Sequence, residues 1–430
     1  MRRSDIRRTT IYIMTFAVIA FILICIFTIH PNKGGKIADT RNTIAWSDTL
    51  GNSASDIVSL KPMDAEIERF RNKWEIKGIS LAVTRHDSLL YAKGYGWSDM
   101  EAGIEMQPTS MMRIASASKL VTATAIMKLV EQGRLRLDSK VFGEKGILND
   151  TSYTNAVRDK RIFEITVDHL LQHKGGFTLG AGDPMFNTAD IMEVKKLKTP
   201  PTNQELVGIV LGRRIGFMPG SGRRYSNFGY MLLSLVIEKV TGMSYWDYVT
   251  KEILEPAGAY RFRPATNYYT QRHPDETRYY GPDTVKIKEF NGSGRMVDRV
   301  YGGSNVNGLM GAGGWVTSAS DLARLVASID GDPGVRDILS PGSVRLMTYH
   351  DGEDKQTRGW TDSDGKGKWT RTGTLGSTHT LIIRYPEGDC WVMTTNSGVW
   401  TGHNFSRDMT RLVDRLRQRY SGVFPARNLW

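Results

Sequence analysis

Cysteine is almost absent from this chain. Of 430 residues only Cys25 and Cys390 carry a thiol, one inside an apolar run near the start and the other far along the chain. A disulfide framework is excluded, while the redox compartment stays open. Also missing are H-E-x-x-H and any Cys/His cluster at ligand spacing, so no metal site is expected, and no cofactor. G-x-S-x-G is absent too, which removes the α/β-hydrolase nucleophile elbow. The charged residues form no block of one sign and no basic stripe interleaved with aromatics, so nucleic acid is not an expected partner. A net charge of +12 reads instead as a solvated basic surface that could favour acidic material such as an anionic envelope polymer.

One long apolar run is present. Residues 11 to 29, IYIMTFAVIAFILICIFTI, hold no charge, and at about 1.5 Å rise per residue they just span the hydrocarbon of a bilayer. Arg2, Arg3, Arg7 and Arg8 precede the run, and the positive-inside rule keeps that end cytoplasmic. The expectation is a single-pass protein of the bacterial inner membrane, held by one N-terminal transmembrane helix, with the folded domain on the periplasmic side. A cleaved signal peptide is the rival, but Ile29, His30 and Pro31 are not the small residues of a cleavage site. Cys25 then packs within the membrane.

Residues 1–30 are thus read as a short tail and anchor, 31–60 as a polar linker with Gly34, Gly35 and Gly51, and 61–430 as the folded domain. Asp64 is placed to cap a helix whose Ile67, Phe70 and Trp74 share one face. Two hairpins are expected, Ile79 to Thr84 with Leu89 to Gly94, and Thr380 to Tyr385 with Cys390 to Thr395 around Pro386-Glu-Gly-Asp389. An amphipathic helix from about Ser406 to Tyr420 follows. Strands near both ends with a helix-rich stretch from about 135 to 300 between them predict one sheet assembled from the termini and an inserted helical subdomain.

The chemistry-bearing feature is Ser116-Ala-Ser-Lys119 at the head of an apolar helix. Residues three apart on a helix stand one above the other, so the Lys119 amine can reach the Ser116 hydroxyl. Serine needs a base to become nucleophilic, and a lysine stripped of water can be neutral enough to serve. The chain carries its own control: Ser363 and Lys366 have the same spacing, but in a polar, Gly-rich run that cannot hold two side chains together.

Two further segments, Tyr225-Ser226-Asn227 opening a second apolar helix and Arg371-Thr372-Gly373 in a strand-like run, complete a set of three. In this order they resemble the active-site motifs of the serine β-lactamase and penicillin-binding-protein superfamily, nearest to its class C and esterase-like branch. The segments MMRIASASKLVTATAIMKLVEQGRLRLDSKV, ITVDHLLQHKGGF, MPGSGRRYSNFGYMLLSLVIEKVTGMSYWDYV and GAGGWVTSASDLARL share the likeness, which covers roughly residues 60 to 420.

The resemblance implies an α/β fold of the α+β type, an antiparallel sheet flanked by helices with a helical second lobe, and a cleft between them. It also implies Ser116 as nucleophile, with Lys119 and Tyr225 sharing the proton traffic. Asn227 would bind the substrate carbonyl or hold Lys119. The backbone N–H groups of Ser116 and Thr374 would form the oxyanion hole, and Arg371, Thr372 and Gly373 would line the substrate. Arg371 departs from the pattern, which has Lys or His there; arginine keeps the charge, loses acid-base function and suggests a two-pronged grip on a carboxylate. His379 has no counterpart in the pattern and reads as a strand residue. The expected activity is cleavage of an ester or amide of a small-molecule or peptide-like substrate, cell-wall material included. A β-lactamase or D-amino-acid peptidase of the DD-carboxypeptidase kind is the narrower reading. A non-catalytic envelope-binding protein of the same fold is the reading from another class.

Overall fold

Both ends of the described chain meet in one sheet. The computed structural model describes residues 50–178, 182–350, 357–399 and 402–430, all within the compact unit Asp48–Trp430. Hairpin β1 (Gly78–Arg85) and β2 (Ser88–Asp99), extended by β3 (Ile104–Glu105), lies beside β9 (Asp362–Ser363), β10 (Trp369–Leu375), β11 (Thr378–Arg384) and β12 (Asp389–Thr395). The order is β3-β2-β1-β12-β11-β10-β9, and the join is an antiparallel register running from Ile79 opposite Thr395 to Arg85 opposite Asp389.

Strand side chains alternate between faces. Leu81 and Val83, Leu381 and Ile383, and Trp391 and Met393 point to one side, where two helices cover them. Helix Gly402–Tyr420 repeats its apolar residues at helical spacing, Phe405, Met409, Leu412, Val413 and Leu416, all buried. Helix Lys61–Lys73 adds Met63, Ile67 and Phe70. Each such side chain contributes about 1.5–3 kcal/mol by leaving water. Asp64 does not cap this second helix, since the N-cap position is Leu60. Its carboxylate accepts instead from the hydroxyls of Tyr91 and Tyr95, at 2.5 and 2.8 Å, and from Lys93 Nζ at 3.0 Å, because β2 presents those groups to it. The other face of the sheet is covered by helix Ala319–Ala327.

The middle of the chain carries helices from Thr151 to Ala257 and short strands beyond them. β4 (Met112–Arg113), β5 (Arg263–Pro264) and β8 (Trp315–Thr317) make a small sheet in the order β4-β8-β5, while β6 (Lys286–Lys288) pairs with β7 (Met296–Asp298). The small sheet matters for chemistry. Pairing Met112 with Thr317 and Arg113 with Val316 brings the segment ending at Ala312 alongside the turn that holds Ser116.

The transmembrane helix expected over residues 11–29 lies outside the described residues. Among those described, no helix is long and apolar enough to cross a membrane. The expected N-terminal span, and with it the single-pass placement in the inner membrane, is therefore corrected to what the described residues support, an α/β domain in which no helix could cross a membrane. Cys25 also lies outside the described residues, and Cys390 is a buried free thiol in β12.

The β1–β2 turn has an unusual electrostatic setting. His86 and Asp87 both have positive φ, 42° and 61°, and Asp87 is buried near Asp330, Asp332 and Asp337, accepting from the Val335 N–H at 2.8 Å. Burial, and then Asp330, push the Asp87 carboxyl up to about 8; Arg384 pairs with Asp330 at 3.1 Å. The folded state thus holds a proton that the unfolded chain gives up near pH ~4. Stability should fall as pH rises from about 4 to 8. Asp87→Asn tolerates the left-handed backbone and still accepts from Val335. It is expected to raise the thermal midpoint at pH 8, by the equivalent of at least about 1 kcal/mol, and to leave it unchanged near pH 4. An equal shift at both pH values would show that this proton is not the cause.

Candidate active site

Ser116 sits in a 3-10 turn, Ala115–Ala117, immediately before helix Ser118–Glu131. Ala115 is held at φ 49°, a left-handed conformation that costs a residue with a Cβ about 1–2 kcal/mol. The packing around the turn explains why it persists. Strand β10 runs directly against it, and a Cβ on Gly373 would lie 2.3 Å from the Ile114 carbonyl oxygen, 2.9 Å from Ala117 N and 3.1 Å from Ser116 N. Glycine is required here so that the strand can approach the serine turn, a reason different from the substrate contact expected for it.

Lys119 is fully buried on the first turn of an almost wholly apolar helix. Its Nζ lies 2.7 Å from Asn227 Oδ1, 2.5 Å from the Ala312 carbonyl and 3.3 Å from Ser116 Oγ. Three acceptors match the three N–H bonds of an ammonium. The two shorter contacts go to carbonyl oxygens, which can only accept, so a neutral Lys119 keeps both N–H bonds there and turns its lone pair toward Ser116. Burial lowers Lys119 to about 8; the nearby Tyr225 opposes the shift and Arg371 reinforces it.

Tyr225 and Asn227 come from the start of helix Asn227–Thr241, capped by Ser226, whose hydroxyl accepts from the Gly229 N–H at 3.0 Å. The Tyr225 hydroxyl is 2.6 Å from Ser116 Oγ, while Lys119 Nζ lies 4.8 Å from the ring centroid. Tyr225 is 42% exposed as a whole, and it is the inward-turned hydroxyl end whose loss of water acts to raise the phenol; the charges of Lys119 and Arg371 outweigh this, and Tyr225 falls below the ordinary tyrosine range. Asn227 donates from Nδ2 to Asp183 Oδ2 at 2.6 Å. A carboxylate can only accept, so this bond fixes the amide with Oδ1 toward Lys119.

Arg371 and Gly373 share the inward face of β10 and are both buried, whereas Thr372 is half-buried and Thr374 exposed. The Arg371 side chain, 2% exposed, donates from Nη2 to the Ser116 carbonyl, and its Nε has no partner among the described residues. Its fork is directed at the nucleophile turn. Thr372 is tied to Thr361, with its N–H 3.1 Å from Thr361 Oγ1, and Thr374 Oγ1 lies 3.2 Å from His379 Nδ1. His379 is a buried β11 residue packed on Phe405 at 4.5 Å, and burial lowers it to about 4.

The structure therefore gathers Ser116, Lys119, Tyr225, Asn227, Arg371 and Gly373 at one point and leaves the side chains of Thr372 and Thr374 aside. Three contributors were not singled out from the sequence: Asp183, the Ala312 carbonyl and His173. The first two meet Lys119 and Asn227 across long stretches of chain and leave no local signal. His173 lies in the segment ITVDHLLQHKGGF, already noted for its resemblance. Among the described residues no group of His, Cys, Asp and Glu is arranged to hold a metal ion.

A serine and a buried lysine on one turn, faced by a tyrosine and an asparagine from a second helix, are the parts of a serine hydrolase. The beta-lactamase family model matches residues 64–414, and the chain belongs to that family. Penicillin-binding protein 4* of Bacillus subtilis (strain 168) is 26% identical over 331 residues, 76% of this chain and 69% of its own. Protein flp of Staphylococcus aureus (strain NCTC 8325 / PS 47) is 30% identical over 237 residues, 54% of this chain; the match spans 44% of that relative, less than half its length. The fold is similar to that of the octameric penicillin-binding protein homologue from Pyrococcus abyssi, with a TM-score of 0.62 and 24% identity over 83% of this chain and 77% of that one.

Proposed function

We propose that this protein cleaves an ester or amide through an acyl-enzyme on Ser116, with Tyr225 and Lys119 acting together as its base. The observation that carries the reading is the 2.6 Å separation of the Tyr225 hydroxyl from Ser116 Oγ, in a phenol drawn below its ordinary range by the charges of Lys119 and Arg371. In the acylation step Ser116 Oγ bonds to the substrate carbonyl carbon while its proton passes to the Tyr225 oxygen. The carbonyl oxygen takes up negative charge beside the backbone N–H groups of Ser116 and Thr374. Collapse breaks the bond to the leaving alcohol or amine, which receives the proton. Water, deprotonated by the same pair, then releases the acid and restores Ser116. Lys119 holds the proton balance, because a charge on it favours the Tyr225 phenolate and its neutral form favours the phenol.

The name of the Bacillus subtilis relative supports including penicillins among the candidate ligands. The test is mass spectrometry of the protein after exposure to a fluorophosphonate and, separately, to a penicillin. One fluorophosphonate adduct on the peptide containing Ser116 is expected. A stable penicillin adduct would favour the peptidase branch, rapid loss of the drug a β-lactamase, and no reaction with it an esterase or amidase. No adduct with either reagent on folded protein would leave the binding-protein reading in its place.

A further inference from the structure

His173 grips both neighbours of Tyr225. Its carbonyl accepts from the Arg224 N–H at 2.9 Å and its ring Nδ1 accepts from the Ser226 N–H at 3.2 Å, so the residue between them is held from behind. The imidazole also lies against the phenol ring, with centroids 4.5 Å apart at 36°, and against Tyr230 at 5.0 Å. Tyr230 is itself fixed, donating to the Leu171 carbonyl at 2.8 Å and accepting from the Gly359 N–H at 3.0 Å. The neighbouring backbone continues the grip: Gly220 N–H bonds to the Lys174 carbonyl and Gly216 N–H to the Gly176 carbonyl. Residues 173–176 thus tie down the loop leading to Tyr225, which Asp159 and Arg161 hold further back at Ile215.

We propose that His173 is a positioning residue that sets the Tyr225 phenol over Ser116 and keeps it within the field of Lys119 and Arg371. The proposal rests on the hydrolase reading above. Histidine suits the place for three reasons. Its backbone is left-handed, φ 61°, a conformation that His and Asn adopt more readily than most residues. Its Nδ1 must be unprotonated to accept from Ser226, which leaves a neutral ring with the proton on Nε2. Burial, together with the cations of Lys119, Arg371 and Arg223, keeps it neutral by drawing it well below the usual histidine range. A cationic residue here would repel Lys119, and an aliphatic one would leave the Ser226 N–H without its acceptor.

The test compares His173→Ala with His173→Asn, which keeps an acceptor at a similar reach and tolerates the left-handed backbone. With a small neutral ester, His173→Ala is expected to lower kcat by about 100-fold while KM stays within about threefold, since misplacing a catalytic group by about 1 Å costs that order of rate. His173→Asn is expected to recover at least about tenfold of the loss. The second readout is the ultraviolet titration of Tyr225, taken as the difference from a Tyr225→Phe variant. With the ring released from the two cations, the Tyr225 midpoint should rise in His173→Ala by at least about one pH unit. A purely structural role would lower the thermal midpoint and leave that titration in place, and this result on a folded variant would overturn the proposal. If His173→Ala does not fold, His173→Gly, which suits the left-handed backbone and also removes the ring, takes its place: a parental Tyr225 midpoint or a parental kcat in it overturns the proposal, and a raised midpoint with reduced kcat supports it. Failure of the hydrolase reading would show separately, as absence of a fluorophosphonate adduct on Ser116 in the parent, and the Tyr225 titration would still judge His173.

Discussion

Ser116→Ala should lower ester turnover by about 10⁴-fold or more without moving the thermal midpoint, because a half-buried hydroxyl is lost while the turn and its packing stay. The base leaves its own mark on the pH profile. Lys119 is lowered to about 8, chiefly by burial, and Tyr225 lies below its ordinary range. Below that point the pair is fully protonated and cannot take the Ser116 proton. The parent's kcat/KM should therefore climb with pH and level off above about 8. Tyr225→Phe keeps the ring against His173 and removes only the oxygen 2.6 Å from Ser116, and a loss of about 10²–10⁴ is expected. Measuring kcat and kcat/KM across pH for parent and both variants decides the matter. Turnover persisting in Ser116→Ala would end the assignment of the nucleophile. A Tyr225→Phe variant with the parental profile would leave Lys119 as the base.

The second large effect belongs to Arg371. The sequence reading has it gripping a substrate carboxylate, which makes Arg371→Lys harmful only for carboxylate-bearing substrates. The structure suggests a different result, since the guanidinium is buried and donates to the Ser116 carbonyl. Lysine has neither the reach nor the planar geometry to replace that bond, and a buried polar group left unpaired costs about 1–3 kcal/mol, more when it is charged. Some of that loss should appear as lower stability and the rest as a fall of about 10²-fold in kcat/KM, shared by a neutral ester and a carboxylate-bearing one. A loss confined to the carboxylate substrate would restore the grip on substrate and show that the side chain swings outward when one binds.

What could be read in advance depended on how far a residue acts along the chain. Ser116 and Lys119 are one turn apart, so their meeting follows from helix geometry alone. The hairpins at β1–β2 and β11–β12 were legible because alternating apolar residues flank obvious turns. The 3-10 character of the Ser116 turn was not, because it comes from β10 pressing on Ile114 and Ala117. The same holds for the lysine's acceptors: the Ala312 carbonyl reaches it only through the pairing of β4 with β8. Period two puts Arg371 and Gly373 on one face of their strand. Whether that face met solvent or the serine turn depended on a packing partner that no local pattern reveals. Asp64 shows the same limit at small scale, since its spacing suits a cap while two tyrosines on a strand claim its carboxylate.

The pairing of β1 with β12 also bears on how the protein is made. Ile79 waits for Thr395, a partner that leaves the ribosome more than three hundred residues later. Until then the first hairpin has one apolar edge open, and the sheet that supports β10 and the serine turn cannot close. A chain halted before Asp389 would hold Ser116, Lys119, Tyr225, Asn227 and Arg371 and still lack the strand that joins the two hairpins. The register therefore predicts that nascent chains keep the β1 edge unpaired for most of their synthesis, and that the sheet behind the serine turn closes only once β12 has emerged.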